Sequence, residues 1–156
     1  MHPRLDLTKH LNTGVGRAML ALSAEATAQL DPTLFELVKI RASQINGCAY
    51  CLDMHTKDAR LRGETEQRIY ALSAWREAPF YTDRERAALD WTETVTLLSE
   101  THVPDEAHQR VKQQFNDDEL VALTMGIVVI NSWNRLAVAF RAPAGSYQPR
   151  TLAKPA

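Results

Sequence analysis

The chain holds only two cysteines, Cys48 and Cys51, and His55 follows the second by four positions. On a helix, about 100° per residue places Cys51 roughly 60° and His55 roughly 20° from Cys48 in projection, so all three fall on one face. Side chains three or four apart are then near neighbours. Cys48 and Cys51 can close a disulfide, and Cys51 can meet the imidazole of His55. A CxxC pair opening a helix also sits at the positive end of its dipole, which favours thiolate over thiol. The thiolate is the reactive form, so these residue types at this spacing point to thiol redox chemistry. One sulfur attacks a peroxide oxygen or a partner's disulfide, and the other resolves the product as an intramolecular disulfide.

The same residues admit other readings. Cys48, Cys51, His55 and the upstream Glu36 offer two sulfurs, a nitrogen and an oxygen, a set that could hold zinc. Structural zinc sites, however, usually draw ligands from two separated knuckles, whereas three of these lie on one helix. The expectation is therefore no metal and no bound organic cofactor. Two cysteines on a helix are often simply small buried hydrophobes, and a lone His55 or Glu36 would be a packed or solvated residue. A structural or regulatory protein that keeps the fold without turnover is a third alternative. His2, His10, His102 and His108 share no ligand spacing and read as surface residues.

The elements that must position this set are helical. Val15, Met19, Leu22 and Ala26 recur at helical spacing and predict a first helix over roughly 14–30. Asp31-Pro32 starts a second, carrying Glu36 among Leu34, Leu37, Val38, Ile40 and Ile45, and Asn46-Gly47 breaks it. A third runs from near Cys48 to Arg62, closed by Gly63. Thr65 caps a short fourth bearing Ile69, Leu72 and Trp75. Thr82 with Glu85 has capping-box spacing for a fifth, and a sixth with His108, Val111 and Phe115 follows Pro104. Asn116 with Glu119 makes a second capping box before a long apolar helix from Leu120 to Phe140. Nothing alternates with period two. The fold class is therefore all-α, about seven helices in one domain spanning 1–156, with a core over about 14–141 and an irregular proline-containing tail.

A length of 156 residues fits one domain. A net charge of -1, with 18 basic residues interspersed among 19 acidic ones, gives no general attraction to nucleic acid or an anionic membrane, so neither partner is expected. The N-terminus lacks the apolar core of a secretory signal, and the longest apolar run, 126–130, is too short to span a bilayer. The expected location is cytoplasmic. In that reducing compartment a CxxC pair points to cycling redox chemistry or metal binding rather than a structural bridge.

Glu36, eleven residues, Cys48, two, Cys51, three, then His55 resembles the E-x11-CxxC-x3-H pattern of the alkylhydroperoxidase D (AhpD) group in the carboxymuconolactone decarboxylase superfamily. Asn46-Gly47-Cys48 and Ile130-Asn131-Ser132-Trp133-Asn134-Arg135 are similar to flanking signatures of that group, and the likeness covers roughly 14–141. The resemblance implies an all-helical, AhpD-like enzyme with alkylhydroperoxidase or disulfide reductase activity, reduced by a thiol donor and assembled as a homo-oligomer, often a trimer or hexamer. It further implies Cys51 as the peroxide-reactive thiol, Cys48 as its resolving partner, and His55 with Glu36 as a proton relay. Superfamily decarboxylases lack the CxxC pair, which argues against decarboxylation. Well-studied AhpD proteins have histidine immediately before the second cysteine, where this chain has Tyr50. Apolar residues around the whole 120–140 helix require cover on most sides, from the chain's own domain or from another subunit; the resemblance, with Trp75 and Trp91 as further apolar bulk, tips the expectation toward subunit contacts.

Overall fold

A computed structural model describes residues 2–149. Eight α-helices follow in order: α1 (Gly14–Ala28), α2 (Pro32–Asn46), α3 (Ala49–Leu61), α4 (Glu66–Ala71), α5 (Asp83–Thr96), α6 (Leu98–Thr101), α7 (Asp105–Lys112) and α8 (Asp117–Phe140). No strand occurs among the described residues, as the absence of period-two alternation predicts. Locally encoded boundaries fall where expected. Asp31 accepts from the Leu34 amide with Pro32 in the first turn, and both capping boxes are complete, Thr82 with Glu85 and Asn116 with Glu119. Each such cap is worth about 1 kcal/mol.

The differences are small and physical. Two 3-10 turns, Leu7–His10 and Leu72–Ala74, and the four-residue α6 were not anticipated. Such short pieces carry too few residues for a hydrophobic period to register. Leu72 and Trp75, expected on α4, instead follow it in the 3-10 turn and its C-cap, and Phe115 lies beyond α7. The tail after Arg141 has no helix or strand through Pro149; residues 150–156 of that expected tail lie outside the described part.

The helix surrounded on all sides is α2, not α8. Leu34, Phe35 and Val38 enter a cluster with Trp91, Val111, Leu123 and Ile127, while Leu37 and Ile40 enter a second with Ala59, Leu72, Trp75 and Leu89. α3, α5 and α8 pack directly on α2. α8 is long and apolar enough to cross a membrane by length and composition, yet it packs against α1, α2, α3 and α5 as a core helix. Its apolar circumference is covered mostly by its own chain, although Val121, Met125, Val128 and Val138 remain exposed. Trp75 and Trp91 are both buried within the chain and so give no argument for assembly.

Candidate active site

The site is built on the α2–α3 corner. Gly47 adopts φ 64°, the left-handed conformation glycine takes without steric penalty, and turns the chain sharply after α2. The Cys48 amide then donates to the Ser43 carbonyl at 3.0 Å. Cys48 becomes the N-cap of α3 rather than a residue of its first turn, and the Cys51 amide donates to Cys48 Sγ at 3.3 Å. The sulfurs are joined in a disulfide with Cα atoms 5.4 Å apart. Both cysteines are buried, at 1% and 2% exposure.

This corner is held from α8. The Asn46 side-chain amide donates to Asn131 Oδ1 and Asn134 Oδ1, each at 2.9 Å, and Asn134 donates to Ser43 Oγ at 3.0 Å. Asn134 is fully buried. Trp133 instead reaches a cavity wall and donates to Ser23 Oγ at 3.0 Å.

His55, one turn beyond Cys51, places Nδ1 3.1 Å from Glu36 Oε2. Both residues are buried. The other oxygen of Glu36 accepts from Lys39 at 2.8 Å and lies 3.6 Å from Arg62 Nε. Burial pushes the Glu36 carboxyl up, but the His55 hydrogen bond and the Lys39 charge outweigh it, so its pKa is lowered overall. His55 is also lowered from 6.5, chiefly because burial disfavours its charged form, with the Glu36 hydrogen bond opposing. The two directions agree on one protonation state, carboxylate beside neutral imidazole. A carboxylate only accepts, so Nδ1 carries the proton and Nε2 keeps a free lone pair.

Four neighbours escaped sequence reasoning: Lys39, Asp58, Arg62 and Tyr147. Lys39 and Asp58 stand three residues after Glu36 and His55, the spacing that could have found them. Tyr147 comes from the tail, where no periodicity could point to it. Its hydroxyl donates to Asp58 Oδ1 at 2.9 Å, and burial followed by that carboxylate pushes its pKa up to about 12. Glu36, His55 and Asp58 can bring three ligand atoms within 4.8 Å of one another. This set differs from the sulfur-containing one the sequence suggests, and a cation there would compete with Lys39 and lie beside Arg62. His2, His10, His102 and His108 are exposed, as expected.

Cys51 and His55 both line a cavity of about 690 Å³, and Cys48 does not. Its walls are largely apolar: Leu20 from α1, Phe35 from α2, Tyr50 and Met54 from α3, and Val129, Ile130, Trp133 and Ala137 from α8. Tyr50 thus faces the cavity while packing beside the cysteine pair. Lys39 also reaches the cavity, its charge balanced by Glu36.

The all-helical fold is that of AhpD-like proteins. Residues 13–94 match the model of the carboxymuconolactone decarboxylase family, and the chain belongs to that family. The uncharacterised protein YdfG of Bacillus subtilis (strain 168) is 50% identical over 119 residues, which cover 76% of this chain and 81% of YdfG. The crystal structure of ATU0492 from Agrobacterium tumefaciens, a protein of unknown function proposed to be the antioxidant defence protein AhpD, is 41% identical with a TM-score of 0.89. It aligns with 94% of this chain over its full length. The debrominase Bmp8, solved with 2,3,4-tribromopyrrole, shares the fold at 19% identity and a TM-score of 0.76, over 90% of this chain and 75% of its own. The fold therefore carries more than one activity.

Proposed function

We propose that the protein is a thiol-dependent alkylhydroperoxidase that cycles through the Cys48–Cys51 disulfide. One observation carries this reading: the cavity exposes Cys51 together with His55, whose free nitrogen is set by the bond to Glu36, while Cys48 stands behind Cys51 within bonding distance. In the reduced state His55 Nε2 takes the Cys51 proton, and the thiolate attacks the terminal oxygen of a hydroperoxide ROOH. The O–O bond breaks, the leaving RO takes the proton back as ROH, and Cys51 becomes a sulfenic acid. Cys48 attacks that sulfur, expelling water and closing the disulfide. Two thiols of a donor then reduce the pair by exchange and leave as a disulfide. The Cys51 amide, aimed at Cys48 Sγ from the start of α3, stabilises the Cys48 thiolate released in that exchange.

The cavity favours an organic hydroperoxide over hydrogen peroxide. A water-sized molecule occupies about 30 Å³, far less than the 690 Å³ available, and apolar walls suit an alkyl or aryl body. The reading includes cytoplasmic location, a peroxide or disulfide substrate, a thiol reductant, and no nucleic-acid or membrane partner.

The test is a stoichiometric cumene hydroperoxide pulse on the reduced protein, with free thiols titrated afterwards. Two thiols lost together, restored by dithiothreitol and without crosslinked chains, are expected. Cys51→Ser should abolish peroxide consumption, and Cys48→Ser should leave one event that stops at the sulfenic acid. Survival of both thiols in the unaltered chain rejects the peroxidase.

A further inference from the structure

The cavity has a cover that none of the helices supplies. Residues 3–11 contribute Pro3, Leu5, Leu7 and Leu11 to its wall, yet not one residue of the 3-10 turn at Leu7–His10 is buried. This stretch is a single layer, with the cavity on one side and solvent on the other. Beyond the Thr13 amide and hydroxyl, which both donate to the His10 carbonyl at its C-terminal end, it is fastened at two points. At the first, the Arg4 amide donates to the Phe140 carbonyl at 3.0 Å and its guanidinium donates to the Ala139 carbonyl at 3.1 Å. Both acceptors belong to the last turn of α8, where carbonyls lack intrahelical partners and a cation complements the dipole. At the second, the Leu11 backbone lies on Gly16 of α1 so closely that a Cβ there would stand 2.5 Å from the Leu11 oxygen.

The other cover over the site, the tail after α8, is tied down by more side chains. Asp53 accepts from the Gly145 amide at 3.0 Å, Lys57 donates to the Tyr147 carbonyl at 2.9 Å, and Tyr147 bonds Asp58. The segment joined to the helices by fewer long-range and more exposed bonds opens at lower free energy. That segment is residues 3–11, whose tie to α8 rests on Arg4.

We propose that residues 3–11 form a lid over the cavity, latched by Arg4 on the end of α8 and hinged where Leu11 rests on Gly16, and that its opening admits the substrate to Cys51. Closure returns Leu5, Leu7 and Leu11 to the wall and excludes water from the substrate's apolar body. The consequence for catalysis rests on Cys51 being the reactive sulfur, but access to that sulfur can be measured without turnover.

The experiment follows alkylation of Cys51 in the reduced Cys48→Ser protein by a bulky fluorescein maleimide and by small iodoacetamide. Arg4→Ala removes the guanidinium bond to the Ala139 carbonyl and the charge at the end of α8, leaving the backbone bond to Phe140, and should speed the bulky reagent about tenfold, with a smaller effect on the small one. Gly16→Ala, which forces the Leu11 backbone away, should act in the same direction. Asp53→Asn, which weakens the tail's bond at Gly145 and the Lys57 ion pair within α3 but touches nothing in residues 3–11, should leave the bulky rate near its starting value. An unchanged bulky rate in Arg4→Ala, or equal acceleration in Asp53→Asn, overturns the lid. Hydrogen exchange on the unaltered chain gives a check that needs no variant. The Arg4 amide should exchange at least tenfold faster than the Ala142 amide, which is bonded to the Ala137 carbonyl at 2.9 Å; equal protection overturns the proposal. Alkylation uses no peroxide, so a lid that opens in a protein without peroxidase activity rejects only the function proposed above.

Discussion

His55 Nδ1 and Glu36 Oε2 meet at 3.1 Å across 19 residues of chain, inside the protein and beside the Lys39 ammonium. The contact leaves one imidazole nitrogen committed and the other free. A fixed tautomer is what a base needs in order to act on a neighbouring thiol, so the reactivity of Cys51 should follow this pair.

The pH dependence of iodoacetamide alkylation at Cys51 checks the relationship. In reduced Cys48→Ser protein, His55→Ala should shift the midpoint upward by about one pH unit, toward the ordinary thiol value, and slow alkylation about tenfold at neutral pH. Glu36→Gln keeps a hydrogen-bond acceptor but removes the charge that stabilises imidazolium, and should give a smaller shift in the same direction. Profiles superimposable on the parent would remove both residues from the relay.

Stability should fall on acidification. His55 has a folded pKa below 6.5, so the unfolded chain takes up a proton there that the folded chain refuses, and stability declines as pH drops below about 6.5. Glu36, lowered from 4.5, adds a further loss in the same direction below that pH. Each group contributes at most about 1.4 kcal/mol per pH unit. Urea unfolding at pH 7.5, 6.0 and 5.0 should show the decline, and His55→Gln should flatten the upper part of it. Stability that is constant or rising toward pH 5 contradicts the buried neutral histidine.

Zinc should not be required. The two sulfurs are spent on each other in this state, Glu36 already serves His55 and Lys39, and Asp58 holds Tyr147. Elemental analysis of protein purified without added metal should find far less than one zinc per chain, with Tm unaffected by chelation. A stoichiometric metal whose removal unfolds the chain would favour the zinc reading.

Homo-oligomerisation is expected along the outer face of α8. Val121, Met125 and Val128 recur at helical spacing and stay exposed, and Val15 and Leu22 of the packed α1 are exposed as well. A second copy of the chain is expected to pack on this stripe. Size exclusion with light scattering should give a multiple of 17.5 kDa, and Val128→Glu should lower it. A mass of one chain across a dilution series is the contrary result.

Much of this was legible because it is local. Asp31-Pro32, Thr82 with Glu85 and Asn116 with Glu119 act within one turn, so each reads directly as a helix start. The Cys48, Cys51 and His55 set was legible for the same reason, and Glu36 entered through its spacing in a familiar pattern. The relative burial of α2 and α8 was not, because apolar residues around a helix do not say whether its own chain covers them. Lys39 needed only the i,i+3 rule, but Tyr147 reaches Asp58 from 89 residues away, through a tail without period. The cavity was equally hidden, since its walls come from four helices and both ends of the described chain.

The amide cluster of Asn46, Asn131 and Asn134 bears on whether the α2–α3 hairpin is portable. α2, the Gly47 turn and α3 carry all four proposed reacting and relaying residues within a short contiguous stretch, which invites grafting onto another scaffold. Yet Asn46 donates to side chains 85 and 88 positions later, and Asn134 in turn holds Ser43, whose carbonyl orients the Cys48 amide. A transplanted hairpin would carry the sulfurs and the imidazole but lose the buried amides that fix its corner. A graft therefore has to bring a stretch of α8 with it, or rebuild those partners on the host.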